Sequence, residues 1–430
     1  MSPKFLRSAR YRGFSVRQQI RRIVFWAGAG LVAAAAILFA KGSALAFGLF
    51  YQAAQAQPWL PLILAPAGMG LAVWLTRHVF VGSQGSGIPQ VIAALVSPPV
   101  AASGVLSLKV AFGKVLMTML GLACGASVGR EGPSVQVGAA LMHSLGRLVR
   151  VPSQGTQRAL ILAGGAAGVA AAFNTPLAGV VFAIEELSRS FDARTSGRVF
   201  SAVIMAGIAT LAVVGNYTFF GHTDAVLDLV SGWRPVLVCG VVGGMAGGLF
   251  ARILTGVSRH GLPGLPGRWA AAHPAAFAAG CGLALAVIGL VSGGTTYGTG
   301  YQETRALLGG GPIAPGWCLL KMAATIMSYV SGIPGGIFSP SLAVGAGLGG
   351  TLAAWMPGVP AGAVIILGMV AYFTGAVQAP ITAVVIVMEM TDNQAMTIPL
   401  MAAALVAFTL SRWICPKPLY KVLAEKFLNT

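Results

Sequence analysis

GASVGREGPSVQVG, residues 125–138, is the stretch around which this chain of 430 residues is organised. Its Glu131 is the first acidic residue of the chain, and the next is Glu185. The Gly132-Pro133 pair indicates a helix N-terminus, because proline is tolerated where a main-chain N–H would have no partner. Unpaired N–H groups and the helix dipole attract negative charge at such a position. The stretch therefore predicts that the Glu131 carboxylate and a free anion compete for one place.

The composition indicates an integral membrane protein. Hydrophobic residues make up 56% of the chain and charged residues only 9%, with a mean hydropathy of +0.80. A soluble domain has roughly 25% charged residues. Uncharged runs such as Met322–Met388 exceed the ~20 residues that cross a bilayer, so they must hold several segments broken at glycine and proline. We predict an all-α polytopic protein of the plasma (inner) membrane.

The net charge of +18 is compatible with nucleic-acid binding or with membrane topology. The basic residues fall in short blocks at the ends of apolar spans, which favours topology, so no nucleic-acid partner is expected. Both termini are predicted to be cytoplasmic. The predicted segments are a basic cytoplasmic arm (1–22), a first membrane repeat (23–216), an extracellular linker (217–234), a second membrane repeat (235–412) and a short cytoplasmic C-terminal helix (413–430).

Neither an enzyme nor a metal centre is expected. The five cysteines lie scattered in apolar surroundings without a CxxC pair, which is typical of small hydrophobic residues. The five histidines form no HExxH motif, and no nucleophile has a base near it in sequence. We therefore predict no cofactor.

Four sequence blocks recur in the same order in the two halves of the chain. Matched residues are Gly85 and Gly298, Lys114 and Lys321, Gly129 and Gly336, Pro133 and Pro340, Pro176 and Pro380, and Glu185 and Glu389. Chance similarity between apolar stretches is the alternative, and the shared order disfavours it. The loop after the first span is uncharged, whereas its counterpart in the second half is basic, so the repeats are predicted to be inverted. Inverted repeats predict broken, tilted helices that meet at an anion site near the membrane midplane.

Four short segments resemble the signature segments of the CLC chloride channels and transporters. They are GSGIP at 85–89, GREGP at 129–133, GGIFSP at 335–340 and the Pro-Leu-Tyr that ends at Tyr420. The resemblance spans the whole membrane region and implies a homodimer with one pathway in each subunit. Ten residues follow Tyr420, so no regulatory nucleotide-binding domain and no nucleotide partner are expected.

The resemblance implies roles for individual residues. Ser86 and Tyr420 would donate hydroxyl hydrogen bonds to chloride, together with the main-chain N–H groups of Ile337 and Phe338. Such fixed donors bind an anion without a full cation that would trap it. Glu131 would be the gating glutamate, which leaves the outer anion position when it is protonated. The supporting residues are Gly85, Gly87, Pro89, Arg130, Gly132 and Pro133.

In the CLC family that this chain resembles, a second carboxylate near the cytoplasmic face distinguishes coupled exchangers from many channels. The spacing from the Phe-Asn-Thr-Pro at 173–176 places the family's internal proton glutamate at Glu186. The alternative is that Glu185 and Glu186 cap a helix end or order a subunit contact. Glu185 has a counterpart in Glu389, but Met390 stands at the position equivalent to Glu186, which favours Glu186 as the functional one.

The predicted function is chloride/proton antiport, and the alternative is a passive CLC-type chloride channel gated by voltage or pH. Serine rather than proline at position 86 resembles chloride-preferring members more than nitrate-preferring ones. GREGP and Tyr420 argue against the fluoride-exporting branch.

Overall fold

The computed structural model describes residues 3–97, 99–149, 154–188, 193–215, 217–227 and 232–428. All the regular secondary-structure elements in this part of the chain are helices, which confirms the all-α prediction. The first half contains α1 (Pro3–Ala56), α2 (Pro61–His78), α3 (Ile88–Val96), α4 (Pro99–Val105), α5 (Leu108–Leu122), α6 (Glu131–Leu148), α7 (Gln154–Phe173), α8 (Pro176–Phe182) with the π-helical turn Ala183–Ser188, and α9 (Ala193–Val214). The second half contains α10 (Trp233–His260), α11 (Gly264–Ala272), α12 (Pro274–Val291), α13 (Tyr301–Leu308), α14 (Trp317–Val330), α15 (Phe338–Ala353), α16 (Ala361–Val377), α17 (Pro380–Thr391), α18 (Thr397–Ile414) and α19 (Leu419–Leu428).

Six apolar stretches of helix in the described ranges are long enough to cross a membrane. They are Ile23–Ala56, Ala102–Leu122, Gln154–Phe173, Trp233–His260, Pro274–Val291 and Thr397–Ile414. The helix α1 runs without a break across the predicted boundary between the arm and the first repeat. Residues 1–2, 216, 228–231 and 429–430, on which other predicted boundaries depend, lie outside the described part.

The two halves break their helices in the same way. Asn174 and Gln378 both adopt left-handed backbone conformations, with φ of 58° and 63°, directly after α7 and α16. Pro176 and Pro380 then begin α8 and α17 two residues later. A non-glycine residue with positive φ is uncommon, so its occurrence at equivalent positions supports the predicted repeat.

A buried lysine holds the glycine-rich turn in each half. Lys114 Nζ donates to the carbonyl oxygens of Gln84, at 3.1 Å, and Gly85, at 2.8 Å. Lys321 Nζ donates to those of Thr296, at 2.9 Å, and Gly298, at 2.7 Å. Both ammonium groups are fully buried, and these carbonyl groups replace their hydration. The turns are therefore rigid platforms for the residues that follow them.

The two halves also exchange helix caps. Glu185 accepts hydrogen bonds from the main-chain N–H groups of Ile381, at 3.1 Å, and Thr382, at 2.6 Å, at the start of α17. Glu389 accepts them from Leu177, at 3.1 Å, and Ala178, at 2.7 Å, at the start of α8. Each carboxylate thus satisfies orphan N–H groups and the dipole of a helix in the other half. Glu185 caps a helix as the sequence alternative allowed, but the capped helix is α17.

We expect Glu185→Gln and Glu389→Gln to destabilise the protein by similar amounts, about 1 kcal/mol each. An amide oxygen retains part of the cap but loses the charge that favours the helix N-terminus. Denaturant unfolding in detergent measures the difference, with Glu425→Gln on the C-terminal helix as the control. A large effect from one variant and none from the other would contradict the reciprocal arrangement.

Residues 217–227 dock the predicted linker onto the C-terminal end of α17. The main-chain N–H of Phe220 donates to the Met390 carbonyl at 2.9 Å, and that of Thr223 donates to the Thr391 carbonyl at 3.2 Å. His222 adds an exposed clasp, with Nε2 2.7 Å from Asp224 Oδ1 and Nδ1 3.2 Å from Asp392 Oδ2. Residues 217–227 are thereby fixed to the second half.

The clasp predicts a pH-dependent contribution to stability. The hydrogen bond that His222 donates to Asp224, reinforced by the charges of Asp224 and Asp392, raises the pKa of His222 above its ordinary 6.5. The contribution is therefore fully present below about pH 6.5 and is lost as pH rises through the raised value. We expect His222→Gln to lower the Tm at about pH 5.5 and to leave it unchanged at about pH 9. Equal shifts at both pH values would contradict this assignment.

Candidate functional site

Three helix N-termini meet where the two halves cross. Gly129 and Gly336, matched in the repeat, form a reciprocal pair in which each N–H donates to the other's carbonyl at 2.7 Å. This pair places the start of α6 against the start of α15. The N–H of Gly335 donates to the Gly85 carbonyl at 3.1 Å and draws in the turn before α3. The predicted convergence of broken helices is therefore present.

The glycines of the motifs allow this close approach. Gly87 has φ of 104°, and a Cβ there would lie 2.6 Å from the Gly132 carbonyl oxygen. A Cβ on Gly132 would overlap the Ser86 hydroxyl and lie 2.7 Å from the Ser86 carbonyl oxygen. The turn before α3 and the first turn of α6 are thus in main-chain contact. Any side chain at position 132 would enter the space beside Ser86.

Ser86 and Tyr420 bring two buried hydroxyl groups together. Ser86 is 1% exposed and Tyr420 is 0% exposed, and the Ser86 hydroxyl lies close enough to interact with that of Tyr420. Neither hydroxyl oxygen makes a well-formed hydrogen bond to any described residue. Buried polar groups are normally hydrogen-bonded, so two such hydroxyls side by side indicate a place for a ligand that accepts hydrogen bonds.

Ile337 and Phe338 are the N-cap and first residue of α15. Main-chain N–H groups at the first turn have no acceptor within the helix, and the dipole makes that end positive. The Phe338 ring lies 5.9 Å from that of Tyr420 and 4.8 Å from that of Phe373, centroid to centroid. The main-chain donors therefore sit in an apolar wall, where electrostatic interactions with an anion are stronger than in water.

Glu131 is the first residue of α6 and is only 1% exposed. The Ser339 hydroxyl donates to its Oε1 at 2.6 Å. Its Oε2 lies over Gly129 and makes no hydrogen bond within the described part of the chain. The carboxylate is thus held across the junction of the two halves by one hydroxyl. Pro133 is the third residue of α6, where its missing N–H leaves no intrahelical bond unmade.

A cavity of about 370 Å³ opens onto Glu131, and we call it the Arg130 vestibule. Arg130 lines it, and its Nη1 donates to the Ala40 carbonyl at 2.9 Å, which fixes the guanidinium beside the opening. The other lining residues are Ser43, Ala44, Phe47, Gly48, Tyr51, Leu122, Tyr217, Phe219, Thr299, Gly300, Tyr301, Gln302 and Glu303. The cavity has room for several water molecules next to the carboxylate.

Glu186 lies in the π-helical turn after α8 and is 1% exposed. Its carboxylate is near enough to interact electrostatically with the Tyr420 hydroxyl, and so is that of Glu131. The Tyr420 hydroxyl is therefore within electrostatic reach of both carboxylates. π-Helical turns inside α-helices occur frequently at functional sites.

The structure brings together all the residues predicted to bind chloride, and it places the supporting Gly85, Pro89 and Arg130 on the same turns and helix starts. Two contributors escape sequence reasoning. Ser339, which donates a hydrogen bond to Glu131, aligns with Gly132 in the repeat. This difference between the two halves was the sequence signal that could have pointed to Ser339. Lys114 holds the first glycine-rich turn, and its match with Lys321 was the one signal in the sequence for this role.

Among the residues described, no cluster of three or more histidine, cysteine, aspartate or glutamate side chains is arranged to hold a metal ion. The five cysteines are buried and unpaired by disulfides. Donor groups at the helix junction are N–H and O–H, which suit an anion.

Comparison with known proteins agrees with this geometry. The chain is 34% identical over 396 residues to the H(+)/Cl(-) exchange transporter ClcA of Cronobacter sakazakii, which covers 86% of this chain and 81% of that protein. The crystal structure of a slow cyanobacterial Cl⁻/H⁺ antiporter superposes with a TM-score of 0.81 at 25% identity, covering 95% of this chain and 98% of that one. The crystal structure of a CLC-type fluoride/proton antiporter superposes with a TM-score of 0.79 at 25% identity, covering 94% and 98%.

The family model described as voltage gated chloride channel matches residues 68–412. The match runs from α2 to the last turn of α18 and covers parts of both halves of the chain. It contains the three glycine-rich segments whose main chains meet at the helix junction. The chain belongs to the voltage gated chloride channel family, the CLC family.

Proposed function

We propose that this protein exchanges chloride for protons across a membrane. The observation that carries the proposal is the position of Glu131: a buried carboxylate at a helix N-terminus, beside unpartnered hydroxyl donors and open to a vestibule with room for several water molecules. Relatives and structural neighbours named as chloride/proton exchangers support exchange over a passive channel.

In the proposed exchange, each residue of the site has a task that its position supports. With Glu131 ionised, its carboxylate occupies the outer anion position and Ser339 holds it there. Protonation removes the charge that the helix N-termini favour, so the side chain swings toward the vestibule and chloride takes its place. The hydroxyls of Ser86 and Tyr420 and the N–H groups of Ile337 and Phe338 bind chloride at the centre. Because a proton frees the position that chloride fills, movements of the two ions are linked.

The orientation proposed here follows from the basic segments. Residues 1–22 carry lysine and arginine, the segment after α18 carries three lysines, and such basic segments favour the cytoplasm. Both termini would then be cytoplasmic, in the plasma (inner) membrane, and the Arg130 vestibule would face outward. By family membership we also propose a homodimer with one pathway per subunit. Site-directed labelling of single-cysteine variants at each terminus tests the orientation.

Chloride-driven proton transport in reconstituted liposomes tests the exchange. We expect an outward chloride gradient to move protons inward against a proton gradient, and dissipating the chloride gradient to stop them. Chloride flux without uphill proton movement would favour the passive channel instead. Replacing chloride by fluoride in the same assay separates chloride exchange from the fluoride exchange named for one structural neighbour. Faster exchange with fluoride would overturn the chloride assignment.

Glu186 is proposed as the internal proton glutamate. We expect Glu186→Gln to reduce proton flux by about tenfold or more, while chloride flux falls much less, because the amide cannot carry a proton from the inner side. Glu185→Gln is the matched control, since the adjacent carboxylate caps α17 and should leave the proton-to-chloride ratio unchanged. Full coupling in Glu186→Gln would remove Glu186 from the proton route.

A further inference from the structure

Glu303 is a second carboxylate in the Arg130 vestibule. Within the described residues, it and Glu131 are the two acidic side chains that line this cavity. Glu303 is half-buried, on the first turn of α13, whereas Glu131 is only 1% exposed. Of the two carboxylates in the vestibule, that of Glu303 is therefore the more accessible to outer water.

Helix capping alone does not explain the carboxylate at this position. Glu303 is the third residue of α13 and accepts a hydrogen bond from its own main-chain N–H, as acids near helix N-termini do. The equivalent residue in the first half, at the offset that matches Gly85 with Gly298, is Gln90, the third residue of α3. Gln90 is neutral, and its Nε2 donates to the Gln84 carbonyl at 2.5 Å. A neutral amide thus satisfies the same helix position, and the fold does not require a charge there.

The charged and titratable groups around Glu303 lie on α13, on α14 and in the wall of the vestibule. Lys321 lies close enough to attract its carboxylate, and Arg130 lines the same cavity. The helices α15 and α16, which pack against α13, carry no charged residue. The other titratable groups facing the cavity are Glu131 and the phenols of Tyr51, Tyr217 and Tyr301, while Arg305 on the same helix lies exposed and 3.5 Å from the Tyr301 hydroxyl.

We propose that Glu303 is a proton relay that loads Glu131 from the vestibule. The Glu303 carboxyl group gives its proton to a vestibule water, that water gives a proton to the Glu131 carboxylate, and the Glu303 carboxylate takes up a proton from outer water. Arg130 disfavours free hydronium in this cavity, so a carboxylate that carries the proton in neutral form bypasses the repulsion. The inference rests on the proposed chloride/proton exchange.

The dependence of exchange rate on outer pH tests the relay. We expect Glu303→Gln to keep the wild-type proton-to-chloride ratio, because Glu131 is intact, but to slow exchange about tenfold at an outer pH of about 8 and much less at about pH 5, where hydronium is abundant. Glu303→Asp should restore most of the rate at high pH. Gln302→Asn, a neutral change in the same cavity, should keep the wild-type profile.

Other outcomes overturn the relay. A uniform loss of rate at all pH values in Glu303→Gln would show a structural role, and a change in outer chloride KM with an unchanged pH profile would show electrostatic screening of chloride. The wild-type protein in the same assay separates the two levels of the account. If the wild-type protein moves no protons, the exchange proposal fails. If the wild-type protein exchanges chloride for protons and Glu303→Gln shows the same pH profile as wild type, only the relay proposal fails.

Discussion

Glu131→Gln should abolish proton transport and leave chloride flux within severalfold of wild type. The amide has the shape of the protonated carboxyl group but cannot release a proton or carry the charge that the N-termini of α6 and α15 attract. It can still accept from Ser339, so the fold is preserved. Burying a charge in a membrane costs at least ~3 kcal/mol, and its removal should not destabilise the protein. Paired chloride and proton electrodes on liposomes measure both fluxes.

Two further variants make that result interpretable. Glu131→Ala removes the side chain altogether and should give the same uncoupling, which excludes an effect of the amide itself. Asp224→Asn removes an exposed carboxylate on the linker, 92% exposed, and should leave both fluxes unchanged. Proton flux that persists in both Glu131 variants would show that protons reach the other side without this carboxylate.

Gly132→Ala should weaken chloride binding by about tenfold or more. The added methyl group overpacks the site, and overpacking typically costs about 1–3 kcal/mol. The added methyl group would overlap the Ser86 hydroxyl and press on the Ser86 carbonyl oxygen, 2.7 Å away, while the Gly336 Cα lies 3.4 Å from it on the other side. The space that the methyl group needs is the space that chloride is proposed to share. Calorimetric titration of the purified protein with chloride measures the affinity.

A matched glycine separates this local effect from a general one. Gly30 also lies in a long helix, α1, and an added Cβ there would have no heavy atom within 4 Å. Alanine has a higher helix propensity than glycine, by roughly 1 kcal/mol, so Gly30→Ala should be neutral or stabilising. Unchanged chloride affinity in Gly132→Ala would place the anion away from Ser86.

Much of the fold was accessible from the sequence because its determinants are local. Helix starts at Pro176 and Pro380 and the apolar runs can be recognised in single segments, and the repeat follows from comparing two such series. The match of Gly129 with Gly336 even identified the pair whose main chains bond to each other. The roles of Ser86, Tyr420 and Glu186 came from the family resemblance and stay predictions.

Contacts between distant segments were not accessible in this way. Nothing local to Glu185 indicates that it caps α17, nearly 200 residues further on, because the partners are main-chain N–H groups that every residue carries. Ser339 is one serine among many until the crossing of the halves places its hydroxyl on Glu131. The vestibule that joins Glu303 to Glu131 likewise exists only once α1, α6 and α13 are assembled.

The central claim is that chloride and the Glu131 carboxylate compete for one position, so that chloride binding and protonation favour each other. Its most direct test is proton uptake on chloride binding, measured by adding chloride to weakly buffered, purified protein in detergent. We expect wild type to take up as much as about one proton per subunit at saturating chloride, and Glu131→Gln to take up none, since linked equilibria must be reciprocal. Chloride binding by wild type without any proton uptake would contradict the claim.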